Sequence, residues 1–241
     1  METALFYPNS AELLRPAQLR AAALHEVRSS SLVRRAAEGD HEAAVALHRG
    51  FWPFVNEFEV AIDQHPLPRL PLRQKFGAEI ADRTFLRLAE AVREMKREEG
   101  SHAAHWRKDA SCLGIPNLEA QSVEGVRKLV ADAYAPDHVR FFAVLAATEF
   151  IAEELAAFLA PAKPFTEQFT RKRWVWGEVH LIPHDDGPSH LDIDLDLALA
   201  YSQDDDINSI RGIVFNTVEL FGKAARDVEA SLAAPKTLSH Y

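Results

Sequence analysis

The stretch between Trp174 and Leu197 concentrates potential metal ligands, among them three histidines and four of its five aspartates. Imidazole and carboxylate groups together suit iron, manganese or zinc, and burying so many of them without a cation would be costly. A polar loop between two helices, with histidines exposed to water, is the alternative interpretation. The side chains concerned are His180, His184, His190, Asp185, Asp186, Asp192 and Asp194.

Local signals divide this stretch into two helices. His180 and His184 are four residues apart, so on a helix they share one face. Two prolines and a glycine within 183–188 then interrupt the helix. Ser189 is suited to cap a new helix that begins at His190.

A second candidate group precedes Trp106. Glu98, His102 and His105 are spaced i, i+4 and i+7, so one helix face presents a carboxylate and two imidazoles. For Glu98 and His102 the alternative is an exposed pair, worth about a few tenths of a kcal/mol. His105 precedes Trp106 and lies among apolar residues that recur at helical spacing, which favours an inward position for its side chain.

Glu149 lies within the apolar run FFAVLAATEFIAEEL. A buried carboxylate costs several kcal/mol unless it is paired or protonated, so Glu149 needs a partner. A metal ion would supply one, and Arg140 is the alternative. Glu153, one helical turn further on, is the reserve ligand.

The elements that must position these residues are helices. Apolar residues recur at helical spacing throughout, and no segment alternates like a half-buried strand. Long helices joined by short connections predict an all-α bundle that forms a single domain over residues 1–241. We expect a kink at Pro53, a non-helical connection over 65–71 and a break at Gly100.

Composition excludes several classes of function. With 27 Lys and Arg against 36 Asp and Glu, the net charge is −9, and no dense basic stripe suits nucleic acid or an anionic membrane surface. The single cysteine, Cys112, cannot form an internal disulfide and fits a reducing compartment. No signal peptide and no membrane-length apolar run are apparent, so we expect a cytoplasmic protein without a membrane partner.

These groups resemble the motifs of the haem-oxygenase-like diiron oxidases and oxygenases. That family has Glu-x6-His on one core helix, Glu on a second, and His-x3-Asp-x2-His on a third. Glu98 and His105 show the six-residue gap, and Glu149 in AATEFIAEE resembles the second carboxylate position. WGEVH, which ends in His180, resembles the start of the third motif.

The sequence departs from the family just beyond His180. His184 stands where the family usually has Asp, and the next histidine is His190. Whether His184, Asp185, Asp186 or Asp194 completes the second metal position therefore stays open. The ligands that the resemblance implies are Glu98, His105, Glu149, His180, His184 and His190.

The resemblance also implies an activity. It predicts a haem-oxygenase-like fold with two iron ions cycling between Fe(II) and Fe(III), with manganese as an alternative in one position and O2 as co-substrate. Family members oxidise small amines, amino acids or fatty-acid-like substrates by N-oxygenation, desaturation or C–C cleavage, typically in biosynthesis. An external electron donor and a homodimer are compatible with this expectation. Residues 171–173 offer cations for a substrate carboxylate, or form a solvated face.

Three alternatives accompany this prediction. The first is a haem oxygenase with His25 on the first helix as axial ligand, which leaves Glu149 and His180 without a role. The second is a metal-free relative that acts on a thiamin-like or quinone-precursor ligand and needs a reactive Cys112 or a basic pocket. The third is a non-catalytic helical protein that merely binds metal ions.

Overall fold

The computed structural model describes residues 5–7, 16–119, 122–182, 189–203 and 206–233, and these residues contain α-helices and no strand. This confirms the predicted all-α class, although twelve helices exceed the seven to ten that we expected because several long segments are divided by short breaks. The helices are α1 Pro16–Ser29, α2 Ser31–Ala37, α3 His41–Val55, α4 Phe58–Gln64, α5 Arg69–Phe76, α6 Ala78–Cys112, α7 Glu124–Ala133, α8 His138–Leu159, α9 Lys163–Thr166, α10 Val175–Val179, α11 His190–Tyr201 and α12 Ile207–Ala233.

Side-chain caps fix where several helices begin. Ser30, Asp40 and Asp137 each accept a hydrogen bond from a backbone N–H in the first turn of α2, α3 and α8. Ser189 caps α11 in a reciprocal capping box with Asp192, as its position before His190 predicts.

Helix α8 lies at the centre of the bundle. Apolar residues surround its axis, and it packs against α1, α11 and α12. Phe141, Phe142 and Phe150 are among the largest fully buried side chains. Glu149 is thereby carried on the innermost helix.

Two sets of hydrogen bonds hold the C-terminal half of α11. The buried carboxylate of Asp196 accepts the backbone N–H groups of Phe6 and Tyr7 at 3.1 and 2.6 Å. The Lys75 ammonium donates to the carbonyl oxygens of Leu199 and Ser202 at 2.7 and 2.6 Å. These bonds tie α11 to residues 6–7 and to α5, while the helix packs against α8.

Three expected helix boundaries differ from the structure. Helix α6 continues through Gly100, since the cost of about 1 kcal/mol for an interior glycine is small beside the packing of so long a helix. The connection predicted over 65–71 is helical from Arg69, because a proline in the first turn lacks only an N–H that would have no helical partner. Helix α3 contains Pro53 and ends at Val55, two residues later.

Among the described residues, none of the helices combines the length and apolar character that a membrane span requires.

Candidate metal centre

Four helices bring histidines and carboxylates to one place inside the bundle. Helix α6 contributes three residues, α8 contributes one, the C-terminal cap of α10 contributes one, and α11 contributes two. We call this set the histidine–carboxylate cluster. Its members are Glu98, Glu99, His102, Glu149, His180, His190 and Asp194.

The centre of the cluster is His190. Its Nδ1 lies 3.6 Å from Glu149 Oε1 and 3.7 Å from Glu99 Oε1. One potential ligand atom from each of these three residues lies within 4.8 Å of the others. Ligand atoms bound to one ion at about 2.1 Å are separated by about 3 to 4 Å, so the three groups need little adjustment to share a cation.

The other ring nitrogen of His190 faces a different carboxylate. Nε2 lies 2.7 Å from Glu98 Oε2, a hydrogen-bonding distance. A carboxylate that accepts from one imidazole nitrogen fixes the ring orientation and directs the opposite nitrogen toward a metal. Glu98 therefore acts on the geometry of His190, and Nδ1 is the nitrogen that faces Glu99 and Glu149.

Two more imidazoles border the same space. The rings of His102 and His180 lie 4.3 Å apart, and His102 Nδ1 is 3.3 Å from Glu99 Oε1. His180 Nδ1 donates to the carbonyl oxygen of Trp176 at 2.7 Å. In a neutral imidazole this bond leaves the Nε2 lone pair available as a ligand.

Asp194 is a buried carboxyl group of the cluster to which a cation could bind. Its side chain is fully buried, and neither carboxylate oxygen has a hydrogen-bond partner among the described residues. Burial and repulsion from Glu149 raise the pKa of Asp194 well above its ordinary value. A buried carboxyl group without donors is costly, and a metal ion would supply the missing positive charge.

Interactions within the cluster shift the pKa values of His190 and Glu149. Burial lowers the pKa of His190, but Glu149, Glu99 and Asp194 outweigh it and raise that pKa to about 9. Burial likewise raises the pKa of Glu149, and its interactions with His190, His180 and His102 reverse the direction and lower it. Binding of a metal ion to His190 would therefore have to displace a proton from its Nδ1, and the positive charge of the ion would replace that of the imidazolium.

The short helix α10 is positioned by a buried carboxylate and a glycine. Asp109 on α6 accepts the backbone N–H of Trp176 at 2.9 Å. A Cβ atom on Gly177 would lie 2.2 Å from the Trp174 ring, so only glycine permits this approach. The Trp176 ring lies 4.0 Å from the His180 ring, which fixes the imidazole against an aromatic wall.

The cluster separates two empty spaces. The first, the apolar cavity, is partly open to solvent and is lined mainly by aromatic and aliphatic side chains from α3, α8 and α12. The second, the polar cleft, is lined by Arg20, Glu98, Glu153 and Glu154 on the opposite side. Glu149, His102 and His180 border both spaces.

The structure brings together most of the residues that the sequence singled out. Glu98, Glu149, His180 and His190 all lie in the cluster. His105 is half-buried on α6 and borders neither the cavity nor the cleft. Three more candidates, His184, Asp185 and Asp186, lie outside the described residues.

The sequence analysis did not identify Glu99 as a candidate ligand, and it left His102 out of the expected ligand set. The apolar stripe of α6 runs through Val92 and Met95 and resumes at Trp106, all of them buried. Spacings of four, three and four residues place Glu99 and His102 on that same stripe, between Met95 and Trp106. Continuing the stripe would have selected them, whereas the Glu-x6-His spacing selected the adjacent face.

The His-x3-Asp spacing of the third family motif occurs on α11. His190 and Asp194 are four residues apart, share one face of the helix and point into the cluster. Leu197 stands where the motif has its second histidine. His180 belongs instead to α10 and joins the cluster from another direction.

Other candidates have different partners. Arg140, the alternative partner for Glu149, pairs with Asp132 instead, and Glu153, the reserve ligand, pairs with Arg20. His25 is exposed on α1, and Cys112 borders Thr170 at 3.1 Å and lines neither space. Neither residue lies in the cluster, so its position gives no support to His25 as an axial haem ligand or to Cys112 as a reactive thiol.

The basic run 171–173 also lies apart from the cluster. Lys172 pairs with Glu167 and Arg173 with Glu178, both on the surface. Both pairs agree with the interpretation of this run as a solvated face.

Comparison with known proteins supports the fold. The structure resembles that of a TenA homologue from Pseudomonas syringae pv. tomato, with a TM-score of 0.66 and 16% sequence identity over 92% of this chain and 93% of that chain. No protein-family model matches the sequence, and no curated protein matches it. At this identity the likeness shows the fold alone, and it confirms the haem-oxygenase-like helical architecture.

Proposed function

We propose that this haem-oxygenase-like protein is an O2-dependent non-haem iron oxidoreductase whose cluster binds two iron ions. The observation that carries the proposal is Asp194, buried without a hydrogen-bond partner beside Glu149 and His190. Three histidines accompany the carboxylates, and this mixed donor set suits iron better than calcium or magnesium, which prefer oxygen alone.

Two groups of residues would hold the ions. Glu99, Glu149 and His190 present ligand atoms closest to one another and would hold the first. The second would lie toward His102, His180 and Asp194, with manganese as an alternative metal in one position. Two iron ions with such ligands supply the electrons that reduce dioxygen while an organic substrate is oxidised.

The chain contributes binding, orientation and exclusion of water. The apolar cavity would hold the organic substrate against Glu149 and His180, among aromatic and aliphatic side chains. Trp176 fixes His180 by a hydrogen bond and a ring contact, so that this imidazole keeps one orientation during a reaction. The substrate class expected from the sequence is a small amine, amino acid or fatty-acid-like molecule, and an external donor would supply electrons for repeated turnover.

An anaerobic Fe(II) titration followed by exposure to O2 tests the proposal. We expect two iron ions per chain by metal analysis, then O2 consumption with a transient change in visible absorption. Asp194→Ala should lower the iron content and abolish O2 consumption, whereas Glu154→Ala in the polar cleft should change neither strongly. Iron binding that is unaffected by Asp194→Ala would contradict the assignment.

A further inference from the structure

The apolar cavity contains one acidic side chain that the cluster does not use. Among the described residues that line it, Glu26 on α1 is the charged group outside the cluster. Of the other polar groups that line it outside the cluster, Ser30 Oγ accepts the Val33 N–H, and Thr148 Oγ1 and Trp106 Nε1 donate to the carbonyl oxygens of Val144 and His48. The buried Trp176 Nε1 has no hydrogen-bond partner among the described residues. No described ion pair joins Glu26 to the cluster.

The Glu26 carboxylate is incompletely satisfied. Its Oε2 atom is buried and has no hydrogen-bond partner among the described residues. The nearest cation is the Arg226 guanidinium at 3.5 Å, and the Arg226 side chain is 64% exposed. A long contact to a solvated arginine compensates poorly for a buried carboxylate oxygen, which would bind a further N–H donor favourably.

A glycine on the neighbouring helix makes room for this carboxylate. A Cβ atom on Gly222 of α12 would lie 1.6 Å from Glu26 Oε2. The carboxylate therefore rests directly on the α12 backbone. Any side chain at position 222 would displace it.

We propose that Glu26 binds the ammonium group of an amine substrate whose apolar part fills the cavity. Phe51, Phe54 and Phe221 supply the aromatic surface for that apolar part. This inference rests on the proposed function and narrows its substrate class, because a fatty-acid carboxylate would be repelled by Glu26 whereas a protonated amine would pair with it.

Binding of n-octylamine, compared with 1-octanol and octanoate, tests the proposal without requiring turnover. Trp106 and Trp176 line the cavity, so their fluorescence should report occupancy. At pH 7.5 we expect wild-type protein to bind n-octylamine more tightly than 1-octanol or octanoate. Glu26→Gln should weaken amine binding by about 10-fold or more, and leave octanol binding within about twofold.

Two further variants make the result specific. Glu219→Gln removes an exposed carboxylate from α12 and should leave amine binding unchanged. Gly222→Ala keeps all charges but displaces the Glu26 carboxylate, so it should also weaken amine binding. Circular dichroism should show native helix content in each variant before its affinity is compared with that of the wild type.

The position of the ammonium group is tested against the cluster. If Glu149→Gln weakens n-octylamine binding and Glu26→Gln does not, the amine binds at the cluster and the proposal is overturned. Equal affinity of wild type and Glu26→Gln overturns it as well. The titrations are run on protein as purified and again after adding Mn(II). A Glu26→Gln variant that binds n-octylamine as the wild type does contradicts this inference. Failure of the protein to bind metal contradicts the proposed function alone.

Discussion

The two spaces beside the cluster share three residues and differ in almost everything else. Glu149, His102 and His180 border both, yet the apolar cavity adds mainly phenylalanine and aliphatic side chains, whereas the polar cleft adds Arg20 and several carboxylates beside its aliphatic side chains. The cluster therefore forms a partition between the apolar cavity and the polar cleft. An apolar molecule and a hydrophilic ion can reach the same side chains from opposite directions.

The charge of the polar cleft favours cations. Arg20 pairs with Glu153 at 2.5 Å and with Glu154 at 3.5 Å, and Glu98 lies at the same opening with 40% of its side chain exposed. One arginine against several carboxylates leaves an acidic entrance, which raises the local concentration of metal ions. The apolar cavity offers no comparable attraction, since Glu26 is its one charged lining residue outside the cluster among those described.

The largest effect is expected where the two spaces meet. Glu149→Ala removes a carboxylate from the partition and should lower both iron affinity and activity by more than about 100-fold, because even partners that only orient a ligand are worth 10- to 100-fold. Metal analysis and O2 consumption measure the two quantities. Glu154→Ala, confined to the cleft, is the matched control, and a similar loss in both variants would mean that the cleft and the partition do not differ in function.

Filling one space should leave the other intact. Ala152→Leu adds volume to the apolar cavity and should weaken n-octylamine binding by about tenfold, while the iron content stays at the wild-type value. Ala157→Leu makes the same change on α8 in the exposed wall of the polar cleft and should not affect amine binding. Loss of iron in Ala152→Leu would show that the spaces are coupled.

Asp194 should affect stability with opposite signs in the two metal states. Asp194→Asn replaces a buried acid by a neutral amide, so the metal-free protein should gain about 1 to 3 kcal/mol in free energy of unfolding. The Fe(II)- or Mn(II)-loaded protein should instead lose stability, because a ligand is gone. Thermal unfolding in EDTA and in excess metal measures both. A shift of the same sign in both conditions would count against a cation at this carboxylate.

The smallest effect is expected at Asp109, whose carboxylate accepts the backbone N–H of Trp176 in the apolar cavity lining. Burial, only partly offset by backbone hydrogen bonds from Trp176 and Val175, raises the pKa of Asp109 to about 6. The folded state therefore binds this proton more tightly than the unfolded state, and the free energy of unfolding should fall as pH rises from about 4 to 6. Asp109→Asn keeps a hydrogen-bond acceptor and should flatten that part of the pH profile, measured by urea unfolding.

A surface carboxylate provides the contrast for that measurement. The Arg73 guanidinium lowers the pKa of Asp82, so its contribution to stability is lost as pH falls. Asp82→Asn should therefore change the pH profile in the opposite direction to Asp109→Asn. Identical profiles in the two variants would contradict the role of burial at Asp109.

The sequence contained enough to predict the helical fold and part of the cluster. The placement of Glu149 followed from energetics, because a carboxylate in an apolar run needs a partner inside the protein. The start of α11 followed from the capping chemistry of Ser189. Both inferences depend on local physics, and the structure agrees with both.

The orientation of α6 was harder to predict, since spacing within a motif does not determine which helix face is inward. Glu98 and His105 satisfied a pattern, but the buried stripe through Met95 and Trp106 places Glu99 and His102 inward. Local sequence signals do not predict contacts between distant segments. The approach of His190 to Glu98 joins residues 92 positions apart and depends on how α11 packs across α6. Which of these groups bind metal stays a prediction.

The attachment of α11 to residues near the start of the chain has a consequence for protein synthesis. Ribosomes add about 5 to 20 residues per second, so Asp194 emerges seconds after Glu149 and Glu99. Phe6, Tyr7 and Lys75 are made long before the helix that they secure. We expect nascent chains shorter than about 190 residues to expose acids without His190 and Asp194, so that the complete set of ligands forms only after α11 has been made.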